Sequence, residues 1–311
     1  MAKAAATKTG ATKTRARAKP RTKAKAEPMV EELYFRTESA YLCLLLNRRT
    51  KFIRVVDFRV GAIPAKRLYI QSVAKREGVK KVITLVEKDE VSSWTRVGFV
   101  REGTVPGFYK RSDGHLCGCV IGDKTASVTV SDAGVKLSER TLNAAKKAAK
   151  DVSDKIRGSS FHELNEKDAL KERDRIWKKG SPLGSFESFG RDATRLYYDA
   201  SYKRSKTHTL SAEYQDCFGH SLIEILEAPR SKNEIVAIVE ALRRIGEALR
   251  EFDIVSMFSF APSDDEQLAT AFIAAGYRRT GLLASALEVD GERKDAILFT
   301  QKMLMPGEEN A

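Results

Sequence analysis

Two short stretches set 178 residues apart constrain the fold of this chain more than any other feature: WTRVGFVREGTVPGFY and AFIAAGYRRTGLLASA. Each ends a helical stretch at a glycine (Gly98, Gly276), follows it with an aromatic (Phe99, Tyr277), and places a second glycine (Gly103, Gly281) five residues after the first. A glycine there supplies the left-handed turn that stops a helix, and the aromatic then opens a strand. The surrounding runs repeat with these stretches, so the chain reads as two related αβ units. In the first, AYLCLLL, the turn NRRT and KFIRVVDFRV read as strand, hairpin loop and strand, and the chain becomes regular from Tyr34. The helix AKRLYIQSVAKREG stops at Gly78, KKVITLVEK is a strand, DEVSSWTRVG a short helix, and FVREGTVPGFYKR and GHLCGCVIG close the unit.

The second unit opens with SFHEL and the helix NEKDALKERDRIWKK, capped by Asn165. TRLYYDASYKRS, THTLSAEYQD and HSLIEILEA then read as three strands in a row. Ile235, Ile238, Val239, Leu242, Ile245, Leu249 and Phe252 share one helical face. IVSMFSFA is a buried strand, and SDDE (Ser263 to Glu266) matches a capping box ahead of EQLATAFIAAG. YRRTGLLASALEV, the turn DGE and KDAILFTQKML finish the unit. Between the units, Leu142, Ala145, Ala149, Val152 and Ile156 recur at helical spacing, as in a connecting helix. The expected organisation is a basic tail (1–30), a truncated first unit (31–123), a connecting helix (124–158), a complete second unit (159–305) and a flexible C-terminus (306–311).

The longest uninterrupted apolar run is the seven residues Ala40 to Leu46, well short of the roughly 20 that span a bilayer. No charged-then-apolar secretory signal opens the chain. Four scattered cysteines fit a reducing cytoplasm rather than a disulfide framework. Cys117 and Cys119 form C-x-C without a second ligand pair, so no metal site is expected. Of the net charge of +13, nine positive charges and no acid lie in residues 1 to 26, leaving the rest only mildly basic. That segment carries nothing apolar larger than alanine beyond Met1, and it reads as disordered. Its composition resembles histone-like tails. Lys13, Arg15, Arg17, Lys19, Arg21, Lys23 and Lys25 are the candidate nucleic-acid contacts, salt-sensitive and without base reading. A solubilising tail and a transit peptide are the other two readings. The expected location is the cytoplasm, with nucleoid association if the tail binds DNA.

The order of elements from residue 159 to 305 resembles the GCN5-related N-acetyltransferase fold, and AFIAAGYRRTGLL with DGERKDAILFTQKM looks like its closing elements. A truncated unit before a complete one, through NRRTKFIRVVDF and GFVREGTVPGFYK, is similar to the beta-lysine N-acetyltransferase group. The resemblance covers all but residues 1 to 30. It implies a mixed-sheet α/β fold in tandem units, acetyl-coenzyme A as cofactor, and acetyl transfer to an amine of a small molecule or a protein lysine.

That family grips its cofactor with a turn of the form R-x-x-G-x-G, whose glycines let backbone N–H groups approach the diphosphate at a helix N-terminus. The equivalent stretches here are Pro229 to Glu234, without glycine, and Val60 to Leu68, with one. The resemblance makes the backbone of Arg230, Ser231, Lys232, Asn233 and Glu234 the cofactor contacts. Glu234 suits the helix dipole but opposes a diphosphate, which Arg230 and Lys232 partly offset. Glu224 and Glu227 are the candidate bases, and alternation along a strand lets only one of them face the cleft. The family's usual acid is a tyrosine in the helix equivalent to Glu266–Ala275, which has none. Tyr277 follows it at a packing position. Tyr197, Tyr198 and Tyr202 line an acceptor site or form a half-buried face. His115, His162, His208 and His220 show no catalytic or metal spacing. Two functions stay open: an N-acetyltransferase, or a non-catalytic descendant whose tail contacts nucleic acid.

Overall fold

The computed structural model describes residues 28–59, 61, 63–122, 128–152, 158–180 and 182–303. The first unit comprises β1 (Val30–Arg36), β2 (Tyr41–Asn47), β3 (Phe52–Asp57), α1 (Ile63–Arg76), β4 (Lys81–Val86), α2 (Val91–Arg96), β5 (Val100–Val105) and β6 (Gly114–Val120). After α3 (Asp132–Ala149) come β7 (Ser159–Leu164), α4 (Glu166–Lys179), β8 (Thr194–Tyr202), β9 (His208–Tyr214) and β10 (His220–Ile225). The chain ends with α5 (Lys232–Leu249), β11 (Ser256–Pro262), α6 (Glu266–Ala274), β12 (Arg278–Val289) and β13 (Glu292–Lys302).

All the described strands lie in one mixed sheet, in the order β1-β2-β3-β4-β6-β5-β12-β13-β11-β10-β9-β8-β7. Its two halves are built alike. From β1 to β5, and from β8 to β12, the pairings run antiparallel, antiparallel, parallel, antiparallel, antiparallel. Among the described residues, only the second half has the opening strand β7 and helix α4, so the first unit is the shorter one. The fold is the mixed-sheet α/β arrangement of tandem units implied by the resemblance.

The halves meet where β5 pairs β12, and the register pair at that seam is Gly103 with Gly281. These are the second glycines of the repeated stretches, so the two units join at equivalent positions. The close approach requires them. A Cβ on Gly281 would lie 2.5 Å from the Glu102 carbonyl oxygen and 2.7 Å from Gly103 Cα. Register shifts flank both residues, and such irregularities bend a sheet.

Bending there folds the sheet so that the inner faces of its two halves meet, with β1 and β7 left as its edges. β3 and β10 are seven strand spacings apart, about 34 Å if the sheet were flat. Instead the partly buried Phe52 of β3 packs against the buried cluster that holds Leu222 of β10, with Phe108, Phe189, Phe258 and Leu298. Each unit turns its other face to its own helices. Ile53, Val55, Ile70, Val73 and Trp94 form the first outer core. Ile223, Ile225, Met257 and Phe299 meet α5 and α6 in the second. Polar contacts also cross the fold: Asn47 Nδ2 to Ser185 Oγ at 3.4 Å, Arg49 Nε to Glu187 Oε1 at 3.1 Å, and Gly219 N–H to the Phe108 carbonyl at 3.1 Å.

Three local expectations are corrected. The chain becomes regular at Val30 rather than Tyr34, because Val30–Arg36 pairs along the whole of β2. Asp265, not Ser263, caps α6: its Oδ1 accepts the Leu268 N–H at 2.9 Å. The helix α3 is more than a connector, since Leu142 and Ala145 are buried in the core of the second unit.

Between the two inner faces, His220 stacks on Phe108, centroids 3.7 Å apart, with Nδ1 3.2 Å from the Phe108 carbonyl oxygen. Burial, helped by the charge of Arg54, pushes its pKa down to about 3. The unfolded chain takes up that proton near pH 6.5, so this stability is present above pH 6.5 and is lost as pH falls toward 3. Going from pH 6.5 to 4.5, His220 accounts for about 2.3 kcal/mol. The stability gap between wild type and His220→Phe, read from urea unfolding, should shift by that order in favour of the variant. Parallel pH profiles would contradict the assignment.

Candidate cofactor turn and the closed cleft beside it

In an open α/β sheet, ligands bind outside the carboxyl ends of parallel strands, at a helix N-terminus. Here that place lies beyond β10 and β11, which pair only from His220–Ser256 to Leu222–Phe258. Past that point Ser259 Oγ donates to the Ile223 carbonyl at 2.7 Å. The segment 182–190 lies against the end of β10, with Leu183 N–H on the Leu226 carbonyl at 2.8 Å.

The turn into α5 is closed by its own side chains. Ser231 is the N-cap, and its Oγ accepts the Glu234 N–H at 3.3 Å. Glu234 reaches back: Oε1 accepts the Ser231 O–H at 2.9 Å, and Oε2 accepts the Arg230 N–H at 2.9 Å. The His208 ring approaches Oε2 with Nε2 at 3.1 Å. Burial raises the Glu234 pKa, but the Arg230 amide, the Ser231 hydroxyl and His208 outweigh it and hold the carboxyl below its usual range. His208 is shifted down, by burial first. It is therefore a neutral ring at pH 7, donating from Nε2 to the carboxylate. A carboxylate thus takes the Arg230 amide and the N-cap hydroxyl that a diphosphate would otherwise meet. Arg230, Lys232 and Asn233 are exposed around it.

The two candidate bases are both engaged. Glu224 accepts the Ser185 N–H at 3.0 Å and pairs with Arg195. Arg195 is also paired with Glu213, whose oxygens accept the Phe189 N–H at 3.0 Å and the Gly190 N–H at 2.6 Å. This network holds 185–190 down on the sheet. Glu227, on the turn, pairs with Lys206. Tyr277 is fully enclosed, its O–H 3.5 Å from Met257 Sδ, and burial drives its pKa far up. Tyr198 is buried against Phe161 and Tyr197 against Phe186, while Tyr202 is half-buried.

The first unit's corresponding turn is filled as well. Lys66 is fully buried, with Nζ 2.7 Å from both Asp57 carboxylate oxygens and bonded to the Arg59 carbonyl. Val60 and Ala62, and the tail residues Lys13 to Lys25, lie outside the described residues. Two cavities adjoin the place beyond β10 and β11: one of about 110 Å³ between the inner faces of the units, and one of about 230 Å³ beside the turn, lined by Ala228, Arg230, Pro262 and Asp265. Ligand pockets usually enclose about 300–1,000 Å³. The residues at the turn and in the cleft therefore do not fit acetyl-coenzyme A as they stand.

Sequence reading missed the self-closed turn, although its signal was present. Ser231-Lys232-Asn233-Glu234 has the capping-box spacing. Arg195, Glu213 and His208 had no local signal, because their partners come from other strands and from 185–190. Among the described residues, no group of three or more His, Cys, Asp or Glu is placed to hold a metal, and no helix is long and apolar enough to cross a membrane.

No family model matches the sequence, and no curated protein matches it. Among solved structures, the chain is similar to a spermidine N-acetyltransferase from Vibrio cholerae in complex with CoA and spermine, at 10% identity and a TM-score of 0.36. That match covers 47% of this chain and 95% of the other. It is also similar to a ribosomal-protein-S5-alanine acetyltransferase from Vibrio fischeri, at 15% identity and a TM-score of 0.37, covering 49% and 97%.

Proposed function

We propose that this chain is a non-catalytic binding protein of the acetyltransferase fold, in which the paired units form a scaffold and the basic N-terminal segment contacts nucleic acid. The observation that carries the non-catalytic part is Glu234. Its carboxylate closes the turn that would have to admit a diphosphate. The engagement of Glu224 by Arg195 and the absence of tyrosine from α6 support it. The nucleic-acid part rests on the nine cations of residues 1 to 26, each of which releases counterions on neutralising a phosphate.

A transferase is the second reading, favoured by the strand order and by the cavity at the ends of parallel strands. It needs Glu234 to swing out and a carboxylate freed to take the amine proton. A coenzyme A release assay with spermine and a lysine peptide separates the two. Turnover that a Glu234→Gln substitution alters would establish the transferase, and thiol release no faster than acetyl-coenzyme A hydrolysis supports the scaffold.

For the tail, DNA affinity should fall steeply with salt, with a log–log slope near −8 if all the cations engage. Removing residues 1 to 27 should abolish it. Unchanged affinity in that truncation would contradict the tail's role.

A further inference from the structure

The cavity between the units has a property that its closed turn does not explain. Arg54, in the middle of β3, lines it, yet the side chain is buried, at 5% exposure. Its one hydrogen bond among the described residues runs from Nη1 to the Phe189 carbonyl at 2.8 Å, and Nε has no partner. The guanidinium lies on the Phe189 ring, Cζ 4.3 Å from the centroid, with Phe108 at 5.7 Å. Burial lowers its pKa to about 10, so it is still charged at pH 7.

A buried guanidinium ordinarily has an acid partner, because an unpaired charge is costly to desolvate. Two acids are near enough to balance Arg54 and Arg195 in number. Both are committed elsewhere: Glu213 and Glu224 turn their oxygens to Arg195 and to backbone amides of 185–190. Among the described residues Arg54 is therefore left in an aromatic wall without an ion pair, with only the more distant charge of Glu213 acting on it. Around it the cavity is lined by Leu45, Phe52, Leu222 and Leu283, with the Ser185 and Ser259 hydroxyls and Glu224, whose carboxylate is taken by Arg195 and the Ser185 N–H.

We propose that this inter-unit cavity is a binding site for a small aliphatic carboxylate, its headgroup on Arg54 and its chain against the apolar walls. A planar guanidinium with an unpartnered Nε–H suits a carboxylate. A dry cavity of 150 Å³ takes a benzene-sized guest, so this one suits a chain of roughly three to five carbons. The ligand joins β3 of the first unit to β10 and β12 of the second, so its binding steadies the folded sheet. The site lies in the cleft itself, so this inference rests on the reading that no cofactor occupies it.

The test is calorimetric titration of the full-length protein with sodium valerate, with valeramide as the uncharged control. Saturable valerate binding, at least tenfold tighter than valeramide and accompanied by a raised Tm, is the expected result. Arg54→Lys should weaken it and Arg54→Met remove it. Should Arg54→Met not fold, Ala286→Phe, which fills the cavity from β12 while leaving Arg54 in place, should abolish binding instead. Equal binding of valerate and valeramide, no saturation by 50 mM, or binding unchanged by Ala286→Phe would overturn the proposal.

Discussion

Replacing Lys81 with methionine is expected to cost about 3–5 kcal/mol of folding free energy. Lys81 Nζ lies 2.7 Å from both carboxylate oxygens of Glu102 and 2.8 Å from the Ala284 carbonyl oxygen, while Glu102 Oε1 accepts the Ala284 N–H at 2.9 Å. The pair therefore ties β4 and β5 of the first unit to β12 of the second. Both side chains are almost wholly removed from water. Burial lowers the Lys81 pKa against the pull of Glu102, and raises that of Glu102 against the pull of Lys81. Desolvation thus exceeds attraction, and the pair is costly to keep but costlier to break. Lys81→Met leaves a buried carboxylate without its cation. Adding Glu102→Gln removes that charge while keeping an acceptor for Ala284, and should restore at least half of the loss. Urea unfolding of the two variants decides this. A cost below 1 kcal/mol for Lys81→Met would mean that water reaches the junction.

Gly281→Ala should be of similar severity for a different reason. Its Cβ would meet backbone on two sides, at 2.5 Å and 2.7 Å, with Leu298 Cβ at 3.2 Å, and none of the three can rotate away. The seam must widen, and with it the curvature that brings the inner faces together. Overpacking of this kind costs on the order of 3 kcal/mol or more. Gly103→Ala should be milder. Its closest neighbour, at 2.8 Å, is Leu298 Cδ2, the end of a flexible side chain, and Gly281 Cα follows at 3.0 Å. Thermal unfolding with hydrogen exchange of β5 and β12 amides should place Gly281→Ala well below Gly103→Ala. A Tm for Gly281→Ala within 2 °C of wild type would contradict the seam.

The elements of this fold were written in local pattern. Helical spacing marked α5, and Asn165 marked the start of α4, where its Oδ1 accepts the Asp168 N–H at 3.0 Å. The repeated glycines announced two units. Nothing local said that these same glycines would face each other across a seam. The meeting of the inner faces is a long-range event, set by register shifts and by packing between strands seven places apart. The edge strand β1 escaped notice because Glu31 and Glu32 interrupt its apolar run, while only its alternate residues are covered. Arg54 stood in plain view inside FIRVVD, but the wall that buries it comes from the second unit. Glu224, Glu227 and the turn are nameable from sequence only as candidates, and Glu234 as a residue that opposes a diphosphate. Its capping of Arg230 and Ser231 depends on the turn's conformation and on His208 from β9.

The central claim is that Glu234 closes the cofactor turn. Calorimetric titration of acetyl-coenzyme A into the full-length protein tests it most directly, run at 0.1 and 0.5 M salt to separate attraction by the tail. Wild type should give no saturable heat at high salt. Stoichiometric binding that survives 0.5 M salt would contradict it and return the chain to the transferases.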